Sequence, residues 1–455
     1  MSERFDAVIV GAGLSGQACA HRLHAGGMSV AVVEAHLIGG LTAYWTEIPM
    51  PSLIGPTNLV RQLALASGIA SPPTRGRRKG ASPQEAPHKL LPQRTDEFQA
   101  KQLHDEGISV VRGRARLRDT GQITVEQQGH ERQLEAARVV IATGTTPRAP
   151  EIQGLQETGY WTPREAITFT SLPPSVIALG GGTHAIELAQ LFRIYGAEVT
   201  IVTRSSHLMP YEDPKVGDLL AQHLYHKGVR VITGRRVLSA QRNPPGSSCS
   251  LTLDDGSRVE GEQVVVAAGR EPSIAGLDLE RAGVQAEPRG IRVDEYCRAG
   301  ENVWAIGDVT GAGASIHMAQ YQARIAADDM LGHPHPAYLS SVPRIAFTDP
   351  QVATAGLSAA RARELGKDVA SVIVNLPGPP DTPGAQLALH ADRAAGVLLG
   401  VWAVAPDAQE WFPPAALAIR AAIPIAVLHD ALEQFPRYGD AYLQALDRLL
   451  EQGVR

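Results

Sequence analysis

Two glycine-rich turns in this 455-residue chain have the residue types and spacing that bind a dinucleotide. Each turn follows an apolar run and has the pattern Gly-x-Gly-x-x-Gly, in which alanine can replace the last glycine. The members are Gly11, Gly13 and Gly16 in the first turn, and Gly180, Gly182 and Ala185 in the second. Glycine permits the tight turn, brings backbone close to a pyrophosphate and lets helix N–H groups point at that charge. Two such turns predict two bound dinucleotides and electron transfer between them.

Each turn is expected to belong to a strand–helix–strand (βαβ) unit, and the residue that ends the second strand of that unit predicts which dinucleotide binds there. Glu34 lies at this point in the first unit and Thr203 in the second, at the same offset from the first glycine. An acid here accepts hydrogen bonds from ribose hydroxyls and repels a 2′-phosphate, whereas a neutral residue beside an arginine tolerates that phosphate. Glu34 therefore predicts an adenosine with a free ribose, such as that of FAD. Thr203 and Arg204 favour NADPH, with NADH as the alternative, although Arg204 also fits a solvated loop charge.

The turns require strands and helices on either side of them. The apolar runs FDAVIV and SVIAL predict first strands, and VAVVE and EVTIVT predict the strands that follow the two helices. Alternating residues predict an antiparallel excursion over 115–144, and mixed strand and helix patterns follow RIAFTDP. A chain of this length exceeds what one hydrophobic core usually supports. We therefore expect an α/β protein of several domains.

Composition narrows the functional class. Apolar content of 44% and charged content of 20% are ordinary for a globular enzyme, and a net charge of -5 gives no reason to expect nucleic acid or an anionic membrane as partner. The first strand leaves no room for a signal peptide, and no apolar run approaches the length of a membrane span. The three cysteines, Cys19, Cys249 and Cys297, lack metal-binding or redox spacing. We predict a cytoplasmic protein with structural thiols and no metal site.

The motifs, in their order along the chain, resemble the pyridine nucleotide-disulfide oxidoreductase family of glutathione reductase, dihydrolipoamide dehydrogenase and mercuric reductase. The matching segments are GAGLSG, IATGTTPR, GGGTHAIELAQ, AAGREPS, VWAIGDVTG, IHMAQYQARIAA and FTDPQVATAGLS. The resemblance implies two Rossmann-like domains, for FAD and NAD(P), and an α+β C-terminal dimerisation domain of a homodimer. The implied bounds are 1–149 with 271–337 for FAD, 150–270 for NAD(P) and 338–455 for the interface.

The resemblance also assigns site residues. It places the FAD adenosine diphosphate at the first glycine turn and Glu34, and the nicotinamide nucleotide at the second turn. Further cofactor contacts are implied for the A-T-G turn, for the Gly-Asp carboxylate that binds the ribityl chain, for a flavin-adjacent histidine and for the return turn. These residues are Thr143, Gly144, Asp308, His317 and Gly269.

The departures from the family pattern concern its sulfur chemistry. Thr42 and Glu47 occupy the positions of the two redox cysteines, and we assign Thr42 to the cofactor site. Phe435 replaces the histidine that serves the thiols, with Asp440 at the following acidic position. Only a thiolate can form the flavin adduct and pass electrons on as a disulfide, and an apolar ring cannot relay protons. Disulfide substrates are therefore predicted to be excluded.

Two glutamates are the predicted catalytic residues. Pro51 replaces the family's lysine, whose partner is matched by Glu187. Another group must then satisfy Glu187, or it faces water, or it binds substrate, because a lone buried charge is too costly. Glu47 is predicted to be a proton donor, since desolvation raises a carboxyl pKa, or else a polar plug. Tyr44 and Trp45 are expected to line a flat slot.

These features predict an FAD-dependent NAD(P)H oxidoreductase without a redox disulfide. Electrons would pass from NADPH through FAD to a small organic acceptor, quinone-like or conjugated. Three alternatives remain open: a soluble pyridine nucleotide transhydrogenase, a redox-neutral biosynthetic flavoenzyme, and a flavin-binding dimer without catalytic activity.

Overall fold

Both glycine turns join a strand to a helix, as the sequence predicts. The computed structural model describes residues 3–45, 95–242, 248–376, 384–431 and 439–454. These residues form two compact units. The first contains 3–45, 95–148 and 270–339, and the second contains 149–242, 248–269, 340–376, 384–431 and 439–454.

The secondary structure alternates in the order expected of an α/β protein. The first strands are β1 Glu3–Val10, β2 Val30–Glu34, β3 Ser109–Arg112, β4 Arg114–Asp119, β5 Gln122–Gln127, β6 His130–Ile141 and β7 Thr145–Pro147. The next are β8 Ser175–Leu179, β9 Glu198–Val202, β10 Val229–Ile232, β11 Val237–Arg242, β12 Cys249–Leu253, β13 Arg258–Gly261 and β14 Gln263–Val266. The last are β15 Arg270–Pro272, β16 Ala286–Glu287, β17 Gly290–Ile291, β18 Arg298–Gly300, β19 Val303–Ala305, β20 Arg344–Ala346, β21 Gln351–Gly356, β22 Val369–Asn375, β23 Gln386–Asp392 and β24 Val397–Ala405.

Helices connect these strands. They are α1 Leu14–Ala25, α2 Gly40–Tyr44, α3 Glu97–Asp105, α4 Pro163–Ala166, α5 Thr183–Ile194, α6 Pro214–His226, α7 Ile316–Met330, α8 Ala359–Glu364, α9 Ala408–Trp411, α10 Pro413–Arg420, α11 Ile425–Ala431 and α12 Gly439–Glu451. No described helix has both the length and the apolar character needed to cross a membrane.

The first unit is built on a largely parallel sheet in the order β18-β19-β6-β1-β2-β3. Its central strands are buried on both faces, which explains why FDAVIV and VAVVE are apolar without alternation. Helices α1 and α7 cover one face in a shared core, and β4 and β5 contribute to the core on the other face. The antiparallel excursion predicted over 115–144 is confirmed, since β4 pairs with β5 and β5 with β6.

A two-stranded ribbon marks where the chain leaves and re-enters the first unit. Strand β7 pairs antiparallel with β15, and Pro147 lies opposite Arg270. The Arg270 guanidinium of β15 also bonds to β7. Its Nε donates to Thr145 Oγ1 at 2.6 Å, and its Nη2 donates to the Thr145 carbonyl at 3.0 Å.

The second unit contains a parallel sheet, a meander and an antiparallel sheet. The parallel sheet has the order β10-β9-β8-β14 and the meander β11-β12-β13. The antiparallel sheet has the order β20-β21-β24-β23-β22, and helices α9 to α12 share its core. The α/β class and the mixed C-terminal region are confirmed, while the three predicted domain bounds stay predictions.

Candidate nucleotide and flavin sites

The first glycine turn has the geometry that a diphosphate requires. Gly11 has φ +105°, and a Cβ there would lie 2.4 Å from the Ala142 carbonyl oxygen. A Cβ at Gly16 would lie 2.0 Å from the Gly11 carbonyl oxygen, so these two positions need glycine. A Cβ at Gly13 would meet nothing within 4 Å, and Gly13 caps α1 without a side-chain hydrogen bond. The helix therefore begins with free N–H groups beside open space, where an anion binds well.

Glu34 is fixed beside this turn by two backbone donors. Its Oε2 accepts from the Ala12 N–H at 2.8 Å, and its Oε1 accepts from the His36 N–H at 2.7 Å. A carboxylate has about four lone-pair sites, so acceptor capacity remains for ribose hydroxyls.

The other predicted FAD residues gather around the start of α1. A Cβ at Gly11 would lie 3.1 Å from the Thr143 Cα, and a Cβ at Gly307 would lie 2.7 Å from Ser15 Oγ. Thr143 Oγ1 is buried and has no hydrogen-bond partner among the described residues. Buried hydroxyls normally have a partner, so this orphan supports a bound group at the A-T-G turn. The residues present therefore fit a flavin nucleotide.

Asp308 lies in the turn Gly307–Thr310 and is positioned by a polar network. Thr145 Oγ1 donates to Asp308 Oδ2 at 3.3 Å, and the Arg270 Nη2 lies 3.9 Å from the same oxygen. The fully buried Gln322 of α7 accepts from the Gly307 N–H at 2.8 Å. Sequence reasoning missed Gln322 and Arg270. The sole signal for Gln322 was a polar residue on the apolar face of a predicted helix.

His317 and Gly144 are two further residues that the sequence assigns to the flavin site. His317 lies in the first turn of α7, where desolvation holds the pKa of its imidazole below the usual value. Gly144 has φ +67°, which favours glycine at the A-T-G turn, and its carbonyl accepts from the Ser273 N–H at 2.9 Å. The flavin contact of His317 stays a prediction.

The second glycine turn repeats the geometry of the first. Gly180 has φ +133°, and a Cβ there would lie 2.3 Å from the Ala267 carbonyl oxygen. A Cβ at Gly182 would meet nothing within 4 Å, and Gly182 caps α5. Ala185 is fully buried at the position of the third glycine. These residues fit a second dinucleotide phosphate.

Thr203 lies close against this turn, as Glu34 does against the first. It is buried, and its Oγ1 accepts from the Ser205 N–H at 3.2 Å. A Cβ at Gly181 would lie 2.7 Å from Thr203 Oγ1, so only glycine permits this packing. Arg204 is exposed. Gly269 faces open space with no positive φ, so no described contact requires glycine there.

Glu187 is buried on α5 and receives a backbone hydrogen bond. The Phe347 N–H donates to Glu187 Oε1 at 2.9 Å. One turn later Gln190 exchanges two hydrogen bonds with the Asp349 backbone, at 2.8 and 2.9 Å. Of the three alternatives given for Glu187, these contacts favour the one in which another protein group hydrogen-bonds its carboxylate.

Comparison with known proteins identifies the family. The model described as pyridine nucleotide-disulphide oxidoreductase matches residues 5–323, and the model of the corresponding dimerisation domain matches residues 342–446. The chain belongs to the pyridine nucleotide-disulfide oxidoreductase family. Enzymes of this family are FAD-dependent oxidoreductases that use NAD(P)H, so the predicted cofactors and fold are confirmed at that level.

Named relatives match most of the chain. The chain is 32% identical over 444 residues to mercuric reductase of Shigella flexneri, covering 93% of this chain and 77% of the relative. It is 29% identical over 386 residues to dihydrolipoyl dehydrogenase of Zymomonas mobilis, covering 81% and 80%. The structure of LpdA from Mycobacterium tuberculosis matches with TM-score 0.82 and 25% identity, covering 98% of this chain and 99% of that one.

A similar fold is found in a flavoprotein disulfide reductase. The Cu(II) complex of HOCl-induced RclA from Escherichia coli matches with TM-score 0.81 and 23% identity, covering 99% of this chain and 100% of that one. At this identity the likeness concerns the fold alone.

The departures from the family's sulfur chemistry stay predictions from the sequence. Thr42 is half-buried on α2, whose N-terminal Gly40 approaches Gly13: a Cβ at Gly40 would lie 3.3 Å from the Gly13 Cα. Glu47, Pro51 and Phe435 lie outside the described residues. Asp440 is exposed in the first turn of α12.

Cysteines elsewhere in this oxidoreductase chain are poor nucleophiles. Cys19, Cys249 and Cys297 are all buried and free. Burial raises the pKa of Cys297 to about 12 and raises that of the other two thiols. No group of three or more His, Cys, Asp or Glu side chains in the described part of the chain could hold a metal ion.

Tyr44 and Trp45 are more buried than the sequence suggests. Their exposed fractions are 9% and 8%, and the Tyr44 hydroxyl donates to the Ile38 carbonyl at 3.0 Å. The rings lie 5.6 Å apart, tilted by 55°. This packing favours a structural role at the end of α2 over an open slot.

Proposed function

We propose that this flavoprotein passes electrons from NADPH through FAD to a small organic acceptor and uses no redox dithiol. The acceptor class that fits the proposal is quinone-like or conjugated, because such molecules take electrons from reduced flavin without sulfur chemistry. The family supplies the cofactors, and the departures at the sulfur positions distinguish this chain.

The positions and burial of the three cysteines are the main support for this proposal. The full sequence has three, and none lies between residues 20 and 248, where the family's dithiol would stand. All three are buried, and a raised pKa keeps each as the neutral thiol at physiological pH. Because the thiolate is the reactive form, none is suited to exchange with a disulfide substrate.

The first turn, Glu34, Thr143 and Asp308 would hold FAD. Free N–H groups at the start of α1 would bind the diphosphate, and the Glu34 carboxylate would accept from the ribose. The Thr145 and Arg270 contacts orient the Asp308 carboxylate that would bind the ribityl chain. FAD, when bound, supplies the hydride and electron chemistry of the reaction.

The second turn, Thr203 and Arg204 would hold NADPH. The buried Thr203 leaves no negative charge at the ribose position, and the exposed Arg204 follows it directly. Glu187 accepts a hydrogen bond from the Phe347 N–H at its Oε1. This contact supports a positioning role for Glu187.

Proton transfer is assigned to Glu47 on sequence grounds. Thr42 stands in the preceding helix, half-buried, and cannot replace a thiolate. A Glu47→Gln variant should keep NADPH-dependent flavin reduction and lose most turnover of an acceptor that must be protonated. Unchanged turnover would reject the role of Glu47 as proton donor and favour the alternative in which it only fills the pocket with a polar side chain.

Assembly and location follow the family and the thiols. Residues 342–446 match the dimerisation domain, which supports a homodimer. The three free cysteines are typical of a reducing compartment and support the cytoplasm.

Anaerobic titration with NADPH tests the proposal. A flavin and a disulfide each accept one electron pair, so a dithiol-free enzyme should bleach fully with about one equivalent of NADPH per flavin. Consumption of about two equivalents would reveal a second two-electron centre and overturn the proposal. Absence of bleaching would favour the redox-neutral enzyme or the binding dimer.

The oxidant identifies the acceptor class. Quinones should reoxidise the reduced flavin rapidly, whereas NAD should not. Reoxidation by NAD alone would replace the proposed function with nucleotide transhydrogenation. Prior alkylation of accessible thiols should leave the rate unchanged.

A further inference from the structure

We propose that Arg235 is a second specificity-determining residue of the NADPH site and binds the 2′-phosphate together with Arg204. The inference rests on the proposed function, because it requires that NADPH binds at the second glycine turn. It concerns a residue from a different loop, well separated from the glycine motif in sequence.

Backbone hydrogen bonds bring that loop against the end of β9. The Arg235 N–H donates to the Thr203 carbonyl at 3.1 Å, and the Gly234 N–H donates to the Ser205 carbonyl at 2.8 Å. The Thr203 N–H in turn donates to the Ile232 carbonyl at 2.9 Å. The Arg235 backbone therefore lies directly beside the residue that distinguishes a ribose 2′-hydroxyl from a 2′-phosphate.

The Arg235 guanidinium is available to an incoming anion. Its Nε donates to Asp255 Oδ2 at 2.8 Å, but the side chains are 45% and 38% exposed. Such exposed ion pairs contribute little, so a phosphate can compete with Asp255. Asp255 also accepts at Oδ1 from the Ser257 N–H at 3.0 Å, which keeps it satisfied when Arg235 turns away.

The chemistry of the ligand requires more than one cation. A phosphate monoester carries a charge near −2 and three acceptor oxygens, and the planar arginine fork matches that geometry in a bidentate manner. Arg204 supplies one fork from the end of β9, and Arg235 supplies another from the neighbouring loop.

Binding of two adenosine ligands to the FAD-loaded enzyme tests the inference. Calorimetry should show that the wild type binds adenosine 2′,5′-bisphosphate more tightly than adenosine 5′-monophosphate. Arg235→Gln should weaken the bisphosphate about tenfold and leave the monophosphate unchanged. Arg235→Lys keeps the charge and should recover part of the loss. Arg230→Gln is the matched control, because Arg230 is an exposed arginine on β10.

The outcomes separate two failures. A wild type with no preference for the bisphosphate would overturn the NADPH assignment itself. A wild type that prefers the bisphosphate, with Arg235→Gln equally selective, would overturn only the role of Arg235. Equal weakening of both ligands would also reject it, since a structural defect would act on both. A preference for the bisphosphate that declines more steeply with added salt in the wild type than in Arg235→Gln would support it, because Arg204 remains in the variant.

Discussion

The two glycine turns share a backbone plan and differ in the side chain that ends the second strand. In both, that side chain accepts a hydrogen bond from the N–H two residues later, from His36 to Glu34 and from Ser205 to Thr203. The first turn adds a bond from the Ala12 N–H to Glu34, whereas the second brings Gly181 against Thr203. One scaffold therefore presents a fixed negative charge at one site and a neutral surface at the other.

Replacing the first glycine of the first turn should have the largest effect on the free energy of unfolding. Gly11→Ala combines positive φ with a Cβ 2.4 Å from a backbone oxygen, and should lower the free energy of unfolding by about 3 kcal/mol. Gly13→Ala should keep apoprotein stability and weaken FAD binding, because its Cβ meets only open space. Chemical denaturation and flavin retention measure the two effects, and equal stability of the two variants would contradict this difference.

The third position should distinguish the turns from each other. Gly16→Ala places a Cβ 2.0 Å from the Gly11 carbonyl oxygen and should cost about 2 kcal/mol of unfolding free energy. Ala185→Gly should cost about 1 kcal/mol, from helix propensity and lost burial alone. If Gly16→Ala were as mild as Ala185→Gly, the first turn would have the same tolerance as the second. Thermal unfolding of the apoproteins gives the comparison.

The charge at the end of β2 should matter for FAD affinity. Glu34→Gln keeps the size of the side chain, but the amide NH2 of glutamine cannot accept a hydrogen bond. One of the two backbone N–H groups that now bond Glu34, those of Ala12 and His36, therefore loses its acceptor. We expect the FAD dissociation constant to rise about tenfold, as for the loss of one charged hydrogen bond. Flavin fluorescence titration measures it. Unaltered affinity would show that Glu34 organises the turn without contacting ribose.

The equivalent change in the second turn should be the smallest. Thr203→Val keeps the shape and removes the acceptor for the Ser205 N–H, so stability should fall by about 0.5 kcal/mol. NADPH binding should be retained, because the charge at this site is unchanged. A large loss of NADPH affinity would mean that the Thr203 hydroxyl itself binds the nucleotide.

Local sequence patterns predicted the local parts of both sites. The glycine spacing and apolar runs place β1, α1 and β2, because the turn and its flanking elements are contiguous. The contacts of Arg270 with Thr145 and of Glu187 with Phe347 span 125 and 160 residues, and no local pattern specifies such partners. Tyr44 and Trp45 look available in sequence but are buried, since only tertiary packing decides exposure.

The paired ribbon brings together the two ends of the segment that lies between Pro147 and Arg270. Pro147 and Arg270 are opposite residues of an antiparallel pair, so the chain leaves and returns at points about 5 Å apart. A segment whose ends are adjacent can be exchanged or excised while its host keeps the same anchor points. A graft in which a short hairpin loop joins these ends removes Glu187 and Gln190, which bond the backbone at Phe347 and Asp349, so it should destabilise the rest of the second unit. The first unit should still retain flavin, and the absorbance spectrum would report the result.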